Sequence, residues 1–378
     1  MSPPLLIIGN FLSEAGGSRG ASEEFAERLR GNGCGVLTTS WKPAKIARLA
    51  DMMMTVIKRR RDYAVAQVNV YSGSAFFWAE ATCAALRLLG KPYVLTLHGG
   101  NLPEFAASWP RRVGYLLTSA KAVTAPSGYL KQRLDPYCAD EIRVIPNPIE
   151  VEAYAFRERG PVRPNLVWLR AFHNIYDPML AVKVLDALTT RYSRARLTMV
   201  GPDKTDGSLQ QTRMEAKRAG LDDRIAFLGH VSKKDVPQIL GGGDVFLNTT
   251  KVDNTPVSVI EAMACGLCVV STRVGGTPFL ISNEEDGLLV RCGDARAMAS
   301  AVRRFLEAPA FARSCSQNAR RKVEKWNWTN VLGEWERLFS TVCSSGEADL
   351  TAKCAKGIRT MEPMTTGPRD HETTASFS

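Results

Sequence analysis

The chain has 378 residues, of which 45% are hydrophobic and 23% charged, and its formal net charge is +11. This composition is that of a globular protein, and no run of the sequence is apolar over the length that a membrane-spanning helix needs. The length allows two domains of ordinary size. The positive charge favours an acidic partner, whether nucleic acid, anionic lipid or a phosphorylated substrate, and does not choose among them.

Nine cysteines are scattered along the chain, and only Cys265 and Cys268 lie close together. Scattered cysteines are typical of free thiols in a reducing compartment, which predicts a cytoplasmic location. The close pair could serve a redox role or form half of a zinc site, but the sequence contains no second pair at metal-ligand spacing. We therefore expect no metal site.

The first half of the chain alternates short apolar runs with amphipathic stretches, a pattern that predicts parallel strands joined by helices. Prolines on both sides of Asn147 restrict the backbone and indicate a linker, so we expect one domain over residues 1–150. The predicted strands are Leu5–Ile8, residues 64–70, Tyr93–Leu97 and residues 123–127, and the predicted helices are residues 21–30, 42–61, 75–89, 109–120 and 127–134.

The helix over residues 42–61 has an apolar stripe on one side and many lysines and arginines on the other. A basic amphipathic helix can lie on an anionic membrane surface. The same pattern fits a helix that packs on the core and keeps its polar side in water. Both interpretations stay open.

Two features of this half indicate a ligand. Gly16 and Gly17 lie in a glycine loop between the first strand and the first helix, an arrangement that cradles anions, although the loop could also be a plain connection. His98 directly follows the strand Tyr93–Leu97, and parallel sheets bind ligands at the carboxyl ends of their strands. The alternative for His98 is a turn histidine bonded to the backbone.

The second half repeats the alternation and predicts a second domain over residues 151–325. A final helix is expected over about residues 326–343, and the polar composition from residue 344 onward predicts a tail without fixed structure over residues 344–378. The other predicted elements are strands at residues 165–170, 197–200, 224–231, 245–247 and 269–270, and helices at residues 179–190, 215–219 and 298–308.

The most informative stretch begins after the strand at residues 245–247. Asn254, Thr255 and Pro256 predict a helix start, with a capping side chain followed by Pro256 at the first helical position. Gly266 predicts the end of this helix.

Two carboxylates flank that helix start, with Asp253 just before the helix and Glu261 inside it. The free N–H groups and the positive dipole end between them favour an anion. An anion site between two hydroxyl-binding carboxylates suits a sugar nucleotide. The alternative is that Glu261 faces solvent on an ordinary helix.

The segment from Asp253 to Gly266 resembles the Glu-x7-Glu signature of a large family of retaining, nucleotide-sugar-dependent glycosyltransferases, family four or glycosyl transferases group 1. The resemblance covers residues 5 to about 340, with its specific motifs in residues 165–290. It implies the GT-B fold, in which two doubly wound, Rossmann-like α/β domains face each other across a cleft. The final helix would pack back on the N-terminal, acceptor-side domain, and the C-terminal domain would bind most of the nucleotide sugar.

The resemblance also implies roles by position. Asp253 would contact the hydroxyls of the donor sugar, Glu261 the ribose, Arg170 the diphosphate, and His98 the donor sugar at the reacting centre. The further donor-binding residues that it implies are Gly16, Gly17, Gly229, Val231, Asn254, Thr255, Pro256 and Val257.

One position departs from the family pattern. A second phosphate-binding cation, usually a lysine, is expected shortly after Arg170, but Tyr176 stands about there. Lys204, in the loop after the next strand, is the candidate replacement.

The implied reaction moves a sugar from a nucleoside-diphosphate sugar to an acceptor hydroxyl, with retention and with no metal or other cofactor. The protein would act by positioning and electrostatics while the departing diphosphate assists the attacking hydroxyl. We expect a glycan or lipid-linked glycan as the acceptor. Together with the basic helices, such an acceptor would fit an enzyme that assembles a cell-surface polysaccharide or glycolipid at the inner face of the membrane. Three alternatives rank below it: a nucleotide-sugar epimerase of the same fold, a non-catalytic sugar-nucleotide-binding protein and, suggested only by charge, a nucleic-acid binder.

Overall fold

The computed structural model describes residues 3–11 and 20–358 of the chain. Over these residues the chain forms two parallel sheets of six strands each, and helices connect the strands. The predicted doubly wound α/β architecture is therefore confirmed. Gly16 and Gly17 lie outside the described residues.

The first sheet lies in the N-terminal half. Its strands are β1 (Leu5–Ile8), β2 (Val36–Thr39), β3 (Val65–Val70), β4 (Tyr93–Leu97), β5 (Ala122–Ala125) and β6 (Arg143–Val144), in the order β2-β1-β3-β4-β5-β6. Its helices are α1 (Ala21–Gly31), α2 (Lys45–Lys58), α3 (Ser74–Leu88), α4 (Leu102–Ser108), α5 (Pro110–Thr118) and α6 (Gly128–Leu134). The sequence did not predict β2 and β6, because the residues of β2 are mostly half-buried and both residues of β6 are exposed.

The second sheet is formed by β7 (Asn165–Leu169), β8 (Arg196–Val200), β9 (Ile225–Gly229), β10 (Val245–Asn248), β11 (Cys268–Thr272) and β12 (Leu288–Val290), in the order β12-β11-β10-β7-β8-β9. Its helices are α7 (Pro178–Thr189), α8 (Ser208–Arg218), α9 (Val236–Gly242), α10 (Val257–Ala264), α11 (Thr277–Leu280), α12 (Ala295–Glu307) and α13 (Pro309–Glu324). The central strands β10 and β11 are buried along their whole length, as the continuous apolar runs predicted.

Helix α14 (Trp328–Ile358) crosses from the second sheet back to the first. Its buried positions recur every three or four residues, which places them on one face of the helix. This face packs against the first sheet and α1; the buried residues of the helix are Trp328, Val331, Leu332, Trp335, Leu338, Phe339 and Val342, and they join Leu5, Ile7, Phe25, Val65 and Val94 in one core cluster.

The sequence predicted a tail without fixed structure from residue 344 onward. In the structure, residues 344–358 instead continue α14. This stretch contains alanine, leucine, lysine and glutamate, which have high helix propensity, and extending an existing helix is easier than starting one. The prediction for residues 359–378 lies outside the described residues.

Helix α2 buries Met52 and Val56 in the core and leaves Ile46, Met54 and Ile57 exposed to solvent. One side of this helix thus packs on the domain while apolar side chains remain on the other. Among the described residues, no helix has both the length and the apolar character to cross a membrane.

Candidate functional site

The loop between β10 and α10 carries the first group of predicted site residues. Helix α10 begins at Val257, and Pro256 precedes it in an extended conformation with φ −68° and ψ 106°. No side chain caps the helix, and the Asn254 Oδ1 atom instead accepts a hydrogen bond from the Ser127 hydroxyl of the first domain. The predicted side-chain cap and the predicted helical position of Pro256 are therefore wrong, because the extended ψ of Pro256 delays the helix by one residue.

The start of α10 is a polar, partly enclosed surface. The hydroxyls of Thr255 and Ser258 are buried, and neither has a hydrogen-bond partner among the described residues. The N–H groups of the first helical turn and the positive end of the helix dipole lie at the same place. This combination can bind an anion such as a diphosphate.

The turn at Gly275 and Gly276 holds the backbone of this loop. The Gly276 N–H donates to the Asp253 carbonyl at 2.9 Å. A β-carbon on Gly276 would lie 1.6 Å from the Asn254 carbonyl oxygen, and one on Gly275 would lie 2.0 Å from that of Asp253. Since no side chain fits there, the two glycines let the turn pack directly on the loop that carries Asp253 and Asn254.

Arg170 and Asp253 form an ion pair, with 20% and 11% of their side-chain surfaces exposed. Arg170 follows β7, and its backbone is fixed by a hydrogen bond to the Val200 carbonyl. Gly201 packs against the Arg170 carbonyl, where a β-carbon would come within 1.8 Å. The structure thus brings together the two residues that were expected to bind the diphosphate and the donor sugar.

Tyr176 lies against the same arginine, with the centre of its ring 4.5 Å from the guanidinium carbon of Arg170. Two hydrogen bonds fix the backbone there: Trp168 Nε1 donates to the Thr249 hydroxyl at 2.8 Å, and that hydroxyl donates to the Tyr176 carbonyl at 2.6 Å. Tyr176 therefore takes part in the site through its aromatic face. Lys204 is exposed on the loop after β8, and its N–H donates to the Phe172 carbonyl of the neighbouring loop.

Glu261 lies inside α10 and is only 7% exposed, so the alternative that it faces solvent is wrong. The Tyr154 hydroxyl donates to its Oε1 atom at 2.7 Å. Burial raises the pKa of Glu261, and the hydrogen bond from Tyr154 acts in the opposite direction. Sequence reasoning missed Tyr154, because it lies more than a hundred residues away in the segment between the two sheets.

His98 follows β4, and its ring stacks on Tyr71 at a centroid distance of 5.0 Å. Its Nε2 atom lies 2.9 Å from Asn69 Oδ1, and the Asn69 amide nitrogen donates to the Ser22 hydroxyl. Because Asn69 presents its oxygen, the hydrogen of His98 is assigned to Nε2, which leaves Nδ1 as an acceptor. Burial lowers the pKa of His98 to about 4, so the ring is neutral near pH 7.

The two remaining predicted positions lie at the end of β9. Gly229 has a φ of 67°, and its carbonyl accepts the N–H of Gly201 at 2.8 Å. Val231 is half-buried against the core of the second domain. Two residues on, Lys233 forms an ion pair with Glu24 of α1 at 3.1 Å, so this loop also contacts the first domain.

The lowered pKa of His98 predicts a pH-dependent stability. Between pH 6.5 and 4 the unfolded chain binds a proton at this residue that the folded chain does not bind. The stabilising contribution is complete above about pH 6.5 and is lost as the pH falls towards 4. In urea denaturation, we expect the parent to lose about 1–3 kcal/mol more unfolding free energy over this range than His98→Gln, which cannot titrate.

His230→Gln, which removes an exposed histidine, is the control and should follow the parent. Parallel pH curves for the parent and His98→Gln would contradict the lowered pKa of His98 in the folded chain.

Comparisons with known proteins identify the family of the chain. Residues 163–308 match the family Glycosyl transferases group 1, and residues 18–153 match Glycosyltransferase Family 4. A curated relative is N-acetyl-alpha-D-glucosaminyl L-malate synthase from Bacillus anthracis, 24% identical over 70% of this chain and 72% of its own length. Another is 2-deoxystreptamine glucosyltransferase from Streptomyces kanamyceticus, 26% identical over 70% of this chain and 74% of its own. For several other relatives, including D-inositol 3-phosphate glycosyltransferase from Saccharomonospora viridis at 49%, the match spans half of their length or less.

Solved structures share the whole fold at low sequence identity. The Anabaena protein HepE in complex with UDP superposes with a TM-score of 0.73 at 17% identity, covering 89% of this chain and 100% of that one. Sucrose-phosphate synthase from Thermosynechococcus elongatus gives 0.72 at 18% identity, covering 91% and 100%. With both halves of the chain matched, the chain belongs to the glycosyl transferases group 1, the family-four glycosyltransferases, and has the GT-B fold.

Proposed function

We propose that the chain transfers a sugar from a nucleoside-diphosphate sugar to an acceptor hydroxyl, with retention at the anomeric carbon. The observation that carries this proposal is the contact between Arg170 and Asp253 beside the start of α10. A cation and a helix N-terminus suit a diphosphate, and a carboxylate next to them suits the hydroxyls of the attached sugar.

In the proposed mechanism the donor diphosphate replaces Asp253 as the partner of Arg170. The released Asp253 carboxylate then accepts hydrogen bonds from the donor sugar, and Glu261 accepts one from the ribose. Arg170 and the start of α10 stabilise the charge that develops on the leaving diphosphate. Because these groups supply positive charge, the proposal includes no metal or other cofactor.

Retention follows if the acceptor hydroxyl attacks from the side of the leaving group. A departing diphosphate oxygen takes the proton of that hydroxyl while the new glycosidic bond forms and the bond to the diphosphate breaks. Each described group then acts by holding a reactant, and none has to form a bond to the sugar.

The related proteins give more support to the proposed class of sugar donor than to any particular acceptor. HepE was solved with UDP, which supports a uridine nucleotide sugar for this chain. The names of the curated relatives mention L-malate, 2-deoxystreptamine and inositol phosphate, so related chains differ in acceptor. We propose a glycan or lipid-linked glycan acceptor, in assembly of a cell-surface polysaccharide or glycolipid on the cytoplasmic side of a membrane.

The surface of α2 supports the membrane part of this proposal. Ile46, Met54 and Ile57 are 86%, 52% and 45% exposed, and the basic residues 58–61 follow at the end of the helix. Exposed apolar side chains next to exposed positive charges suit the surface of an anionic bilayer.

Release of nucleoside diphosphate from a panel of sugar nucleotides, in the absence of acceptor, tests the donor site. We expect slow hydrolysis of one donor that EDTA does not inhibit. Arg170→Ala should slow it by about a hundredfold or more, because one charge-stabilising group is worth about 3 kcal/mol or more in such sites. Glu261→Ala should raise the donor KM about tenfold through a lost hydrogen bond.

Arg213→Ala is the matched control, since Arg213 also lies over an aromatic ring, that of Phe227, but is exposed on α8. Loss of activity in this control equal to that in Arg170→Ala would contradict the assignment. Conversion of the donor into another sugar nucleotide would instead indicate an epimerase.

The contact between Tyr176 and Arg170 predicts that the aromatic ring supports donor binding. Tyr176→Phe keeps the ring and should stay within about twofold of the parent. Tyr176→Leu removes it and should raise the donor KM about 5- to 30-fold, the range that a partly desolvated cation–π contact implies. Equal losses in both variants would show that the hydroxyl, and not the ring face, matters.

Flotation with anionic lipid vesicles tests the membrane surface. Replacing Arg59, Arg60 and Arg61 by Gln should reduce the fraction of protein recovered with the vesicles by several-fold, because each basic residue near the surface adds about 1 kcal/mol. A control with Arg213, Lys217 and Arg218 replaced by Gln loses the same three charges from the second domain and should float like the parent. Equal recovery of both triple variants with the vesicles would contradict the proposed membrane contact of α2.

A further inference from the structure

A cavity of about 210 Å³ lies beside the donor-binding residues, between the carboxyl halves of β3 and β4, helix α1 and helix α14. His98 and Val257 line it, so it opens into the same cleft as the start of α10. Its floor is polar and its wall is aromatic: the floor consists of Gln67, Asn69, Thr96 and His98, and the wall includes Phe25, Trp328 and Trp335.

The polar floor is unusual for a parallel sheet that is covered by helices, where strand side chains are mostly aliphatic. Val65 on β3 and Val94 on β4 follow that rule and pack in the cluster that contains α14. Farther along the same face of each strand, Gln67 and Asn69 follow Val65, and Thr96 follows Val94. The sheet thus changes from apolar to polar where it reaches the cavity.

Most of these polar groups are bonded to each other. Gln67 Nε2 donates to Thr96 Oγ1 at 2.8 Å, and Asn69 bonds both His98 and Ser22. Gln67 is only 3% exposed, and its Oε1 atom has no hydrogen-bond partner in the part of the chain that the structure describes. A buried amide oxygen without a donor is unfavourable, so this atom is suited to accept a hydrogen bond from a ligand in the cavity.

The chemistry of the cavity restricts that ligand. The unpaired atom is an acceptor, so it binds a hydroxyl or amine hydrogen and repels the oxygens of a phosphate or carboxylate. Of the residues that the structure describes, two charged ones line the cavity, Lys233 and Glu24, and they are paired with each other at 3.1 Å. The rings of Phe25 and Trp335, 5.3 Å apart, offer an apolar surface opposite the amides.

We propose that this cavity is the binding site of the acceptor, that it takes a neutral, polyhydroxylated ring, and that Gln67 determines this specificity by accepting a hydrogen bond from a ring hydroxyl. The ring packs its apolar face on the aromatic wall and directs another hydroxyl into the cleft past His98. This inference rests on the proposed function, since it names the acceptor class of the same reaction.

The first test measures binding without turnover. In protein labelled with 5-fluorotryptophan, the 19F signals of Trp328 and Trp335 are assigned from Phe substitutions. The protein is then titrated with glucose, N-acetylglucosamine and myo-inositol and with their monophosphate esters, with and without UDP. We expect at least one neutral compound to shift both signals, its ester to bind at least tenfold more weakly, and Gln67→Met to weaken the neutral compound about tenfold.

The second test measures transfer. With the donor that the parent hydrolyses, Gln67→Met should raise the KM for the neutral acceptor about tenfold and leave hydrolysis without acceptor unchanged. Thr82→Val is the control, because it removes a different buried hydrogen-bonding group of the same domain, a hydroxyl that bonds backbone carbonyls within α3. It should behave like the parent in both tests.

Four results would overturn the inference: no shift of either signal with any neutral compound, esters that bind as well as the neutral compounds, a Gln67→Met variant with the parent's affinity, or unchanged acceptor KM in that variant. Failure of the proposed function looks different. In that case no donor is hydrolysed, whereas the 19F titration still reports on the cavity.

Discussion

Arg170, at the end of β7, carries a partly buried positive charge that needs a counter-charge and a fixed orientation, and the rest of the site supplies both. Removing a guanidinium from water is costly unless an anion or hydrogen bonds compensate it. Arg170 has the Asp253 carboxylate as its counter-charge and the Tyr176 ring as its support. Each contact depends on other residues that fix the backbone of the partner. Gly275 and Gly276 pack on the loop that carries Asp253, and the Thr249 hydroxyl, just after β10, donates to the Tyr176 carbonyl.

The need of Arg170 for a counter-charge also explains how the proposed site can accept a diphosphate at little electrostatic cost. In the proposed mechanism Arg170 exchanges one anion for another, so its charge is compensated both before and after the exchange. The Asp253 carboxylate that this exchange would release lies beside the proposed donor site, where hydroxyl groups of the sugar would become its new partners. The contact of the Tyr176 ring with the guanidinium does not involve the exchanged anion, so in this mechanism the ring keeps Arg170 oriented.

Much of this arrangement could be predicted from the sequence, because the signals are local. Buried parallel strands such as β10 and β11 appear as continuous apolar runs, and the residues at their carboxyl ends are the natural candidates for a ligand site. Helix α13 was missed because its buried residues are mostly small, Ala312, Cys315 and Ala319 among them, and give little hydrophobic periodicity. The side-chain cap of α10 was predicted wrongly, and the Asn254 side chain at this helix start instead bonds Ser127, which lies in the other domain.

Contacts between the domains are also what the sequence cannot show, since they join residues far apart in the chain. Across the cleft, exposed Lys233 pairs with Glu24 at 3.1 Å, and the rings of Tyr129 and Phe279 lie 6.3 Å apart. Ion pairs of this kind contribute about 0–1 kcal/mol each. The two segments that cross between the sheets lie side by side, with the Ile149 N–H bonded to the Trp326 carbonyl at 2.9 Å. Exposed ion pairs across the cleft therefore add little to holding the two domains together, and the paired crossing segments and the apolar face of α14 in the first domain's core contribute more.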